Sequence, residues 1–491
     1  MFRSPLILVY VACALVVTCF CQSSVDARPM QTQASDSNCP PPGGARSAFM
    51  PALPATEHHQ YVIYTLMRAG QQSLVRYDPE NGQKMTLVQL DSDDYTVDAR
   101  VSPDGEWILL KRSAYQGRQA LQLVRIDGSY LQTLYCAPFI SNFLLSPDQR
   151  YVVFGRPYEN LRYNGISTYS IDLLRGTLRL VLRQPVDQSG YEPLKWAGNH
   201  SLYMTESLTG VGGGGPFPLR DRFNLYLLRD VGLDQSQQAT NLKLLLTTPD
   251  PCACLDMDVT PDNASAITST CTMASDSQST AQTGPARIQI QSLHGGSARV
   301  IYSLPDRAII YVRAISPTTL LFVVGNLRYT FAASSFTLDP HDEEQNGLWT
   351  IHTDGTALTR ISTAAPGSTS DFPQFAYTAD GILARDNHHY VVLNRTPGSH
   401  GIASSIVIGT LIPHNKQTTI ETTQPSDQLH LIGWAETPYV RTSHPISPTP
   451  RTIRSRTLPP DESVVIGWGR RDGLARHRRA QPPQSGGAPD S

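Results

Sequence analysis

A four-residue turn recurs along the 491-residue chain and constrains its fold more than any other feature. Its copies read SPDG, SPDQ, AGNH, TPDN, SPTT and TADG, starting at Ser102, Ser146, Ala197, Thr260, Ser316 and Thr378. Ser, Pro and Gly at the first, second and fourth positions suit a type I turn. Apolar alternation flanks the copies and indicates β-hairpins, and a spacing of roughly 45 to 60 residues indicates a repeat architecture.

Each repeat holds four strand-like segments. After the first hairpin come LQLVRIDG and YLQTLY, and similar pairs follow most of the other turns. Four antiparallel strands per repeat are typical of a β-propeller blade. We therefore predict an all-β propeller over residues 61–436, with seven blades, or six if one unit is misread. The lone segment QLHLIGWA, residues 428–435, would become the inner strand of the first blade and close the ring.

The repeat resembles that of TolB-like propellers. The resemblance is carried by ARVSPDGEWILLKR, LQLVRIDGSYLQTLY and GLWTIHTDGTALTRIS. In that family a strand runs into S-P-D-G, a hydrophobic strand follows, and a third strand ends in D-G before a short fourth strand. The resemblance spans roughly Tyr61 to Ala435, and it implies a propeller fold more strongly than any function.

The N-terminus predicts export. Residues 1–27 contain Arg3, an apolar run, and small residues at Val25 and Ala27, which is the pattern of a cleaved secretory signal peptide. The alternatives are a retained membrane anchor and lipidation at Cys19. We expect a periplasmic, cell-surface or secreted protein.

The remaining segments outside the propeller are polar or rich in Pro, Gly and Ser. We predict a flexible lead-in over residues 28–60, an extended linker with a short strand over 437–469, and a disordered, initially basic tail over 470–491.

The charge balance argues against nucleic-acid binding. The formal net charge is −2, and charged residues make up only 17% of the chain. A nucleic-acid module would need clustered basic residues. We expect a protein or a cell-envelope component as partner, with membrane contact only if the N-terminal segment is retained or Cys19 is lipidated.

Export permits disulfides among the cysteines that follow the predicted cleavage site. The segment CACLDMDVTPDNASAITSTC reads as a hairpin that turns at Asp262 and Asn263, which places Cys254 opposite Cys271. We predict a disulfide between these two cysteines. The single residue between Cys252 and Cys254 is the wrong spacing for a zinc site. The pairing of three cysteines stays open: Cys39, Cys136 and Cys252.

Three neighbouring blades carry long loops between their second and third strands, at residues 206–222, 273–286 and 326–347. In an up-and-down blade these loops lie on the face opposite the SPDG-type turns, for which we predict a structural role. Long loops in compact domains often carry function. We predict that they bind the partner through these residues: Phe217, Arg220, Asp221, Arg222, Tyr329, His341, Asp342, Glu343 and Glu344.

The sequence favours a non-enzymatic scaffold without a cofactor and leaves an enzyme open. It contains neither a G-x-S-x-G nucleophile elbow nor a G-x-x-x-x-G-K-[ST] phosphate loop. The alternative is a lyase or hydrolase acting on a carbohydrate or lactone, with calcium or manganese in the central channel. Its candidate residues recur near the starts of inner strands: Asp98, Asn142, Glu192, Asp256, Asp258 and Asp371. Acidic residues at such points also cap turns between blades.

Overall fold

The computed structural model describes most of the chain between residues 39 and 437. The described residues are 39–53, 59–90, 98–114, 118–157, 166–183, 191–209, 220–232, 241–247, 256–270, 273–275, 279–282, 285–305, 308–325, 328–330, 335–337, 347–363, 381–384, 386, 388–398, 401–411 and 416–437.

The described residues form a seven-bladed propeller of antiparallel sheets, as the repeat predicts. Blades 1 to 3 contain β1 (His59–Arg68), β2 (Gln71–Tyr77), β3 (Lys84–Leu90), β4 (Asp98–Val101), β5 (Trp107–Ala114), β6 (Arg118–Arg125), β7 (Gln132–Ala137), β8 (Ser141–Leu145), β9 (Tyr151–Pro157), β10 (Ile166–Asp172) and β11 (Thr177–Leu182). Blades 4 and 5 contain β12 (Tyr191–Trp196), β13 (Leu202–Thr209), β14 (Arg220–Leu228), β15 (Leu242–Thr247), β16 (Asp256–Val259), β17 (Ser265–Thr270), β20 (Ala286–Ser292) and β21 (Arg299–Leu304).

Blades 6 and 7 complete the ring. They contain β22 (Ala308–Ala314), β23 (Thr319–Gly325), β26 (Gly347–His352), β27 (Thr359–Thr363), β28 (His389–Gly398), β29 (Gly401–Thr410) and β30 (Thr418–Thr422). Four short strands lie in the loops of blades 5 and 6: β18 (Met273–Ser275), β19 (Ser279–Gln282), β24 (Arg328–Thr330) and β25 (Ser335–Thr337). We name the face with the turns between first and second strands the turn face, and the opposite face the loop face.

The last strand closes the ring, as predicted. Strand β31 (Gln428–Thr437) pairs antiparallel with β1, so the first blade has the order β31-β1-β2-β3 from the axis outwards. The inner strand of blade 1 therefore comes from the C-terminal end of the propeller. This pairing covers an edge that would otherwise be open for aggregation. We call β31 the closing strand.

The recurring turns join the first and second strands of blades 2 to 6 at the predicted positions. In blade 2 the Gly105 N–H donates to Ser102 O at 2.9 Å, and the Trp107 N–H donates to Ser102 Oγ at 2.9 Å. The same pattern recurs at Ser146 and Thr260. The fourth residue has a positive φ in these three turns: 75° at Gly105, 58° at Gln149 and 59° at Asn263.

The sixth copy, TADG, was wrongly predicted to be such a turn. Residues 381–384 are the inner segment of blade 7, because the Ala384 N–H donates to His389 O and the Val391 N–H donates to Ile382 O. The link to the second strand therefore follows Ala384. This inner segment is too short for its pattern to be read as a strand, so the sequence placed the turn one element too early.

The apolar core lies between successive blades, because each blade is a sheet whose two faces pack against the blades on either side. Trp107, Tyr135 and Phe154 are buried in the cluster between blades 2 and 3. Ile432 and Ala435 of the closing strand are buried in the cluster between blades 1 and 2. Within the described residues, no helix has the length and apolar character needed to cross a membrane.

Part of the predicted flexible lead-in is fixed to the propeller. Residues 39–53 lie along blades 2 and 3, and a disulfide joins Cys39 to Cys136 of β7. We call this segment the N-terminal strap. Two backbone hydrogen bonds hold it as well: from the Arg46 N–H to Leu134 O at 2.9 Å and from the Ala48 N–H to Leu173 O at 2.7 Å.

Candidate functional site

A cavity of about 640 Å³ lies at the propeller axis and is lined by the inner strands of all seven blades. It reaches the turn face, where Ser102, Pro103 and Pro147 form part of its wall. Its volume falls within the range of small-molecule sites. Its charged and amide side chains are Arg100, Asn142, Glu192, Lys195, Asp256, Asp258, Arg313 and Glu436.

Two carboxylates of this cavity hold the inner strand of the next blade. Asp256 Oδ2 accepts the Val312 N–H at 2.9 Å, and Asp258 Oδ2 accepts the Ala314 N–H at 2.8 Å. Side chains on one face of β16 and N–H groups on one edge of β22 both recur at every second residue. The D-x-D spacing of β16 therefore matches alternate N–H groups along that edge of β22. We call Asp256 and Asp258 the inter-blade clip.

Two cations lie beside the inter-blade clip. Arg313 Nη1 donates to Asp256 Oδ2 at 2.5 Å. Lys195 Nζ lies 3.5 Å from Asp258 Oδ1 and donates to Val259 O at 2.9 Å. Burial raises the pKa of Asp258, although Lys195, Arg313 and two backbone N–H groups act in the opposite direction.

The inter-blade clip does not fit a divalent metal. Calcium and manganese take oxygen ligands, among which carboxylates are common. Here Asp256 Oδ2 and both oxygens of Asp258 already accept backbone N–H groups. Arg313 and Lys195 would also repel a dication at close range. Among the described residues, no three His, Cys, Asp or Glu side chains are grouped to hold a metal ion.

The six residues predicted for a channel metal are only partly brought together. Asp98 pairs with Lys111 at 3.4 Å and is not part of the cavity wall. Asp371 lies outside the described residues. The other four line the cavity: Asn142, Glu192, Asp256 and Asp258.

The closing strand brings a second polar network to the cavity wall. Gln60 Nε2 donates to Glu436 Oε1 at 3.4 Å and to Asp386 Oδ2 at 3.2 Å, and His389 Nδ1 lies 2.6 Å from the same Asp386 oxygen. Burial opposes ionisation of Asp386, but the N–H groups of His388 and His389 and the contacts of its side chain outweigh burial and lower its pKa. This network joins blade 7 to blade 1.

The long loops of blades 5 and 6 form a sheet of their own on the loop face. The loop of blade 5 supplies β18 and β19, and the loop of blade 6 supplies β24 and β25. Strands β19 and β24 pair antiparallel, with Thr280 opposite Tyr329, and the strand order is β18-β19-β24-β25. We call these four strands the shared sheet.

The structure places the backbone of four predicted contact residues. Tyr329 is the middle residue of β24 in the shared sheet. Arg220, Asp221 and Arg222 begin β14, whose ladder with β13 continues to Thr209 with a shift of register. The other predicted contacts lie outside the described residues: Phe217, His341, Asp342, Glu343 and Glu344.

The predicted partners Cys254 and Cys271 also lie outside the described residues, so their disulfide stays a prediction. The hairpin between them has the predicted register, because Asp256 pairs with Ser269. If the same register continued by two residues, Cys254 would lie opposite Cys271, as the sequence predicts.

Sequence reasoning missed the cations of the cavity, although a positional signal marks some of them. The cations Arg100 and Lys195 each precede a recurring turn by two residues, as does the predicted candidate Asp258, and all three line the cavity. Side chains at every second position of a strand point to the same face of the sheet. The turns therefore also locate positions in the cavity wall.

No protein-family profile matches this sequence, and no curated protein sequence matches it. The fold is similar to the β-propeller domain of the Trilobed protease from Pyrococcus furiosus, with 11% identity, a TM-score of 0.43, and coverage of 78% of this chain and 100% of that one. TolB from Acinetobacter baumannii has 13% identity and a TM-score of 0.37, with 74% and 79% covered. Oligogalacturonate lyase from Vibrio parahaemolyticus has 11% identity and a TM-score of 0.44, with 74% and 86% covered. Likeness at this level says nothing about function.

Proposed function

We propose that the protein is an exported, non-enzymatic propeller whose shared sheet binds another protein or a component of the cell envelope. The observation that carries this proposal is the pairing of β19 with β24, which joins loops of two neighbouring blades into one surface. Within the described residues, β18 and β25 each pair on one side only. Such strand edges accept an added extended segment through backbone hydrogen bonds.

The chemistry of the central cavity supports a non-enzymatic role. Asp256 and Asp258 are engaged in holding β22, and each has a cation beside it. Acid–base catalysis needs a group that can reach a substrate proton. The inter-blade clip instead uses its carboxylates to satisfy backbone N–H groups.

Export is supported by two independent features. The disulfide between Cys39 and Cys136 is typical of oxidising compartments. The first 27 residues have the pattern of a secretory signal peptide.

A substitution at Thr280 tests the binding surface. Proline in the central strand β19 removes one ladder hydrogen bond and should disrupt the shared sheet while the blades stay intact. The matched control is Asn263→Gly, because Asn263 lies at the exposed turn of the same blade on the opposite face and has a φ of 59°, which glycine adopts freely.

Wild type, Thr280→Pro and Asn263→Gly would be used as baits in a cell-envelope fraction of the source cells, after equal melting temperatures have been confirmed. The proposal expects a component that wild type and Asn263→Gly retain and that Thr280→Pro loses. That component is then purified and its binding measured directly. Equal retention by Thr280→Pro would count against the shared sheet as the site.

The second candidate is a metal-dependent lyase or hydrolase at the cavity. It is favoured by one observation: Asn142, Glu192, Asp256 and Asp258 all line the cavity. The contacts of the inter-blade clip argue against it. Metal analysis of the purified protein separates the two candidates, because stoichiometric calcium or manganese would promote the enzyme over the scaffold.

A further inference from the structure

The N-terminal strap crosses from blade 2 to the place where the ring closes. At one end, Cys39 is bonded to Cys136 of β7. At the other end, the Leu53 N–H donates to Glu106 Oε2 at 3.3 Å. Glu106 directly follows the SPDG turn of blade 2. The strap therefore connects the outer strand of blade 2 to the turn beside its inner strand.

Several contacts hold the middle of the strap. The Phe49 N–H donates to Gln132 Oε1 at 2.9 Å, and Gln132 Nε2 donates to Phe49 O at 2.9 Å. Arg125 Nη1 lies 3.4 Å from the carbonyl oxygens of Pro51 and Ala52. Apolar strap residues also pack on the core between blades 2 and 3: Ala45, Ala48 and Met50. These contacts hold the strap against the outer side of blades 2 and 3, where most of its residues stay half-buried or exposed.

The far end of the strap reaches the core that holds the closing strand. Leu53 packs against the cluster that contains Ile432 and Ala435 of β31. In the adjoining turn, Gly105 lies against the backbone of Glu436. A continuous set of contacts thus runs from the disulfide through the strap and the turn to the closing strand.

We propose that the disulfide between Cys39 and Cys136 is a redox latch on ring closure. While the bond is intact, the strap keeps the Leu53 side chain and the blade 2 turn packed next to the closing strand. A dithiol reductant breaks the sulfur–sulfur bond, leaves two cysteine thiols, and is itself oxidised to a disulfide. The strap then loses its covalent bond to β7, and the amides of the closing strand become less protected from hydrogen exchange than those of the rest of the ring.

Hydrogen exchange of the folded full-length protein tests this latch. The oxidised protein is compared with the same preparation after brief treatment with dithiothreitol, so refolding is not required. We expect amide exchange in Gln428–Thr437 and Asp98–Val101 to accelerate at least tenfold. The reference strand Tyr191–Trp196 in blade 4 should keep its exchange rate, because no described strap contact reaches it.

Two variants separate this latch from other effects of the reductant. Cys39→Ser with Cys136→Ser should reproduce the accelerated exchange without reductant, whereas Cys254→Ser with Cys271→Ser should leave β31 unchanged. Glu106→Ala keeps the disulfide and should accelerate exchange in β31 by a smaller factor. Unchanged exchange in β31 after reduction, or equal acceleration in all blades, would overturn the proposal.

Discussion

Gly105 of the SPDG turn lies against the backbone of Glu436 in the closing strand. A Cβ at position 105 would overlap the Glu436 carbonyl and lie 2.7 Å from its backbone nitrogen. Gly105 also has a φ of 75°, which L side chains rarely adopt. The glycine of the turn is therefore required both by local backbone shape and by the closure of the ring.

Alanine at position 105 should destabilise the propeller through both effects. We expect a loss of about 3 kcal/mol in the free energy of unfolding, from left-handed strain and backbone overlap together. The matched control is Gly82→Ala, because Gly82 has a φ of 73° and no atom within 4 Å of an added Cβ. It should cost only about 1 kcal/mol. Equal losses in denaturant unfolding would show that the contact with Glu436 contributes nothing.

The inter-blade clip should contribute strongly to stability. Asp258→Ala leaves the buried Ala314 N–H and the Lys195 ammonium without their carboxylate, for which we expect a loss of about 2–4 kcal/mol. Asp262→Ala, at the exposed turn of the same hairpin, should cost much less. A value for Asp258→Ala as small as that for Asp262→Ala would contradict the clip.

The lowered pKa of Asp386 predicts a pH dependence of stability. The carboxyl group of Asp386 binds its proton more tightly in the unfolded state than in the folded state. The ionised carboxylate therefore stabilises the fold fully at pH values above 3.8, the ordinary pKa of the group. This contribution is lost as the pH falls through the lowered pKa. Wild type should exceed Asp386→Asn in stability by about 1 kcal/mol near neutral pH, and the difference should shrink below 3.8. Denaturant unfolding over this range measures it, and a difference independent of pH would contradict the assignment.

The register of the blade 5 hairpin predicts a second disulfide. Asp256 pairs with Ser269, and the same register extended by two residues would set Cys254 opposite Cys271. We expect non-reducing peptide mapping of the exported, oxidised protein to find these cysteines linked. Two free thiols at these positions would refute the pairing.

The sequence revealed the parts of the fold that depend on local backbone shape. The turns at Ser102, Ser146 and Thr260 share their hydrogen bonds and a left-handed fourth residue. This backbone shape favours a recurring Ser/Thr-Pro-Asp motif, and the motif located the turns in the sequence. The closing strand was also predictable, because a lone strand-like segment remained after the blades had been counted.

Contacts between distant segments left no such signal. The strap shows no strand or helix pattern, and Cys39 is separated from Cys136 by 97 residues, so the pairing could not be inferred from spacing. The acidic residues of β16 were predicted as possible channel ligands. Their actual partners, the N–H groups of Val312 and Ala314, lie one blade further along the chain.

The sequence predicted where the long loops lie but not how they pair. Loop length alone predicted a crowded sector of the loop face, and the pairing of β19 with β24 shows that two of the loops meet there. Pairing between two insertions depends on tertiary geometry, since neither insertion has a strong strand pattern of its own.

The dissociation constant of the envelope component purified on the wild-type bait tests the central claim most directly. It should be measured by calorimetry for wild type, Thr280→Pro and Asn263→Gly. We predict that Thr280→Pro binds at least about tenfold more weakly, a loss of about 1.4 kcal/mol, and that Asn263→Gly binds like wild type. An unchanged dissociation constant for Thr280→Pro would contradict binding through the shared sheet.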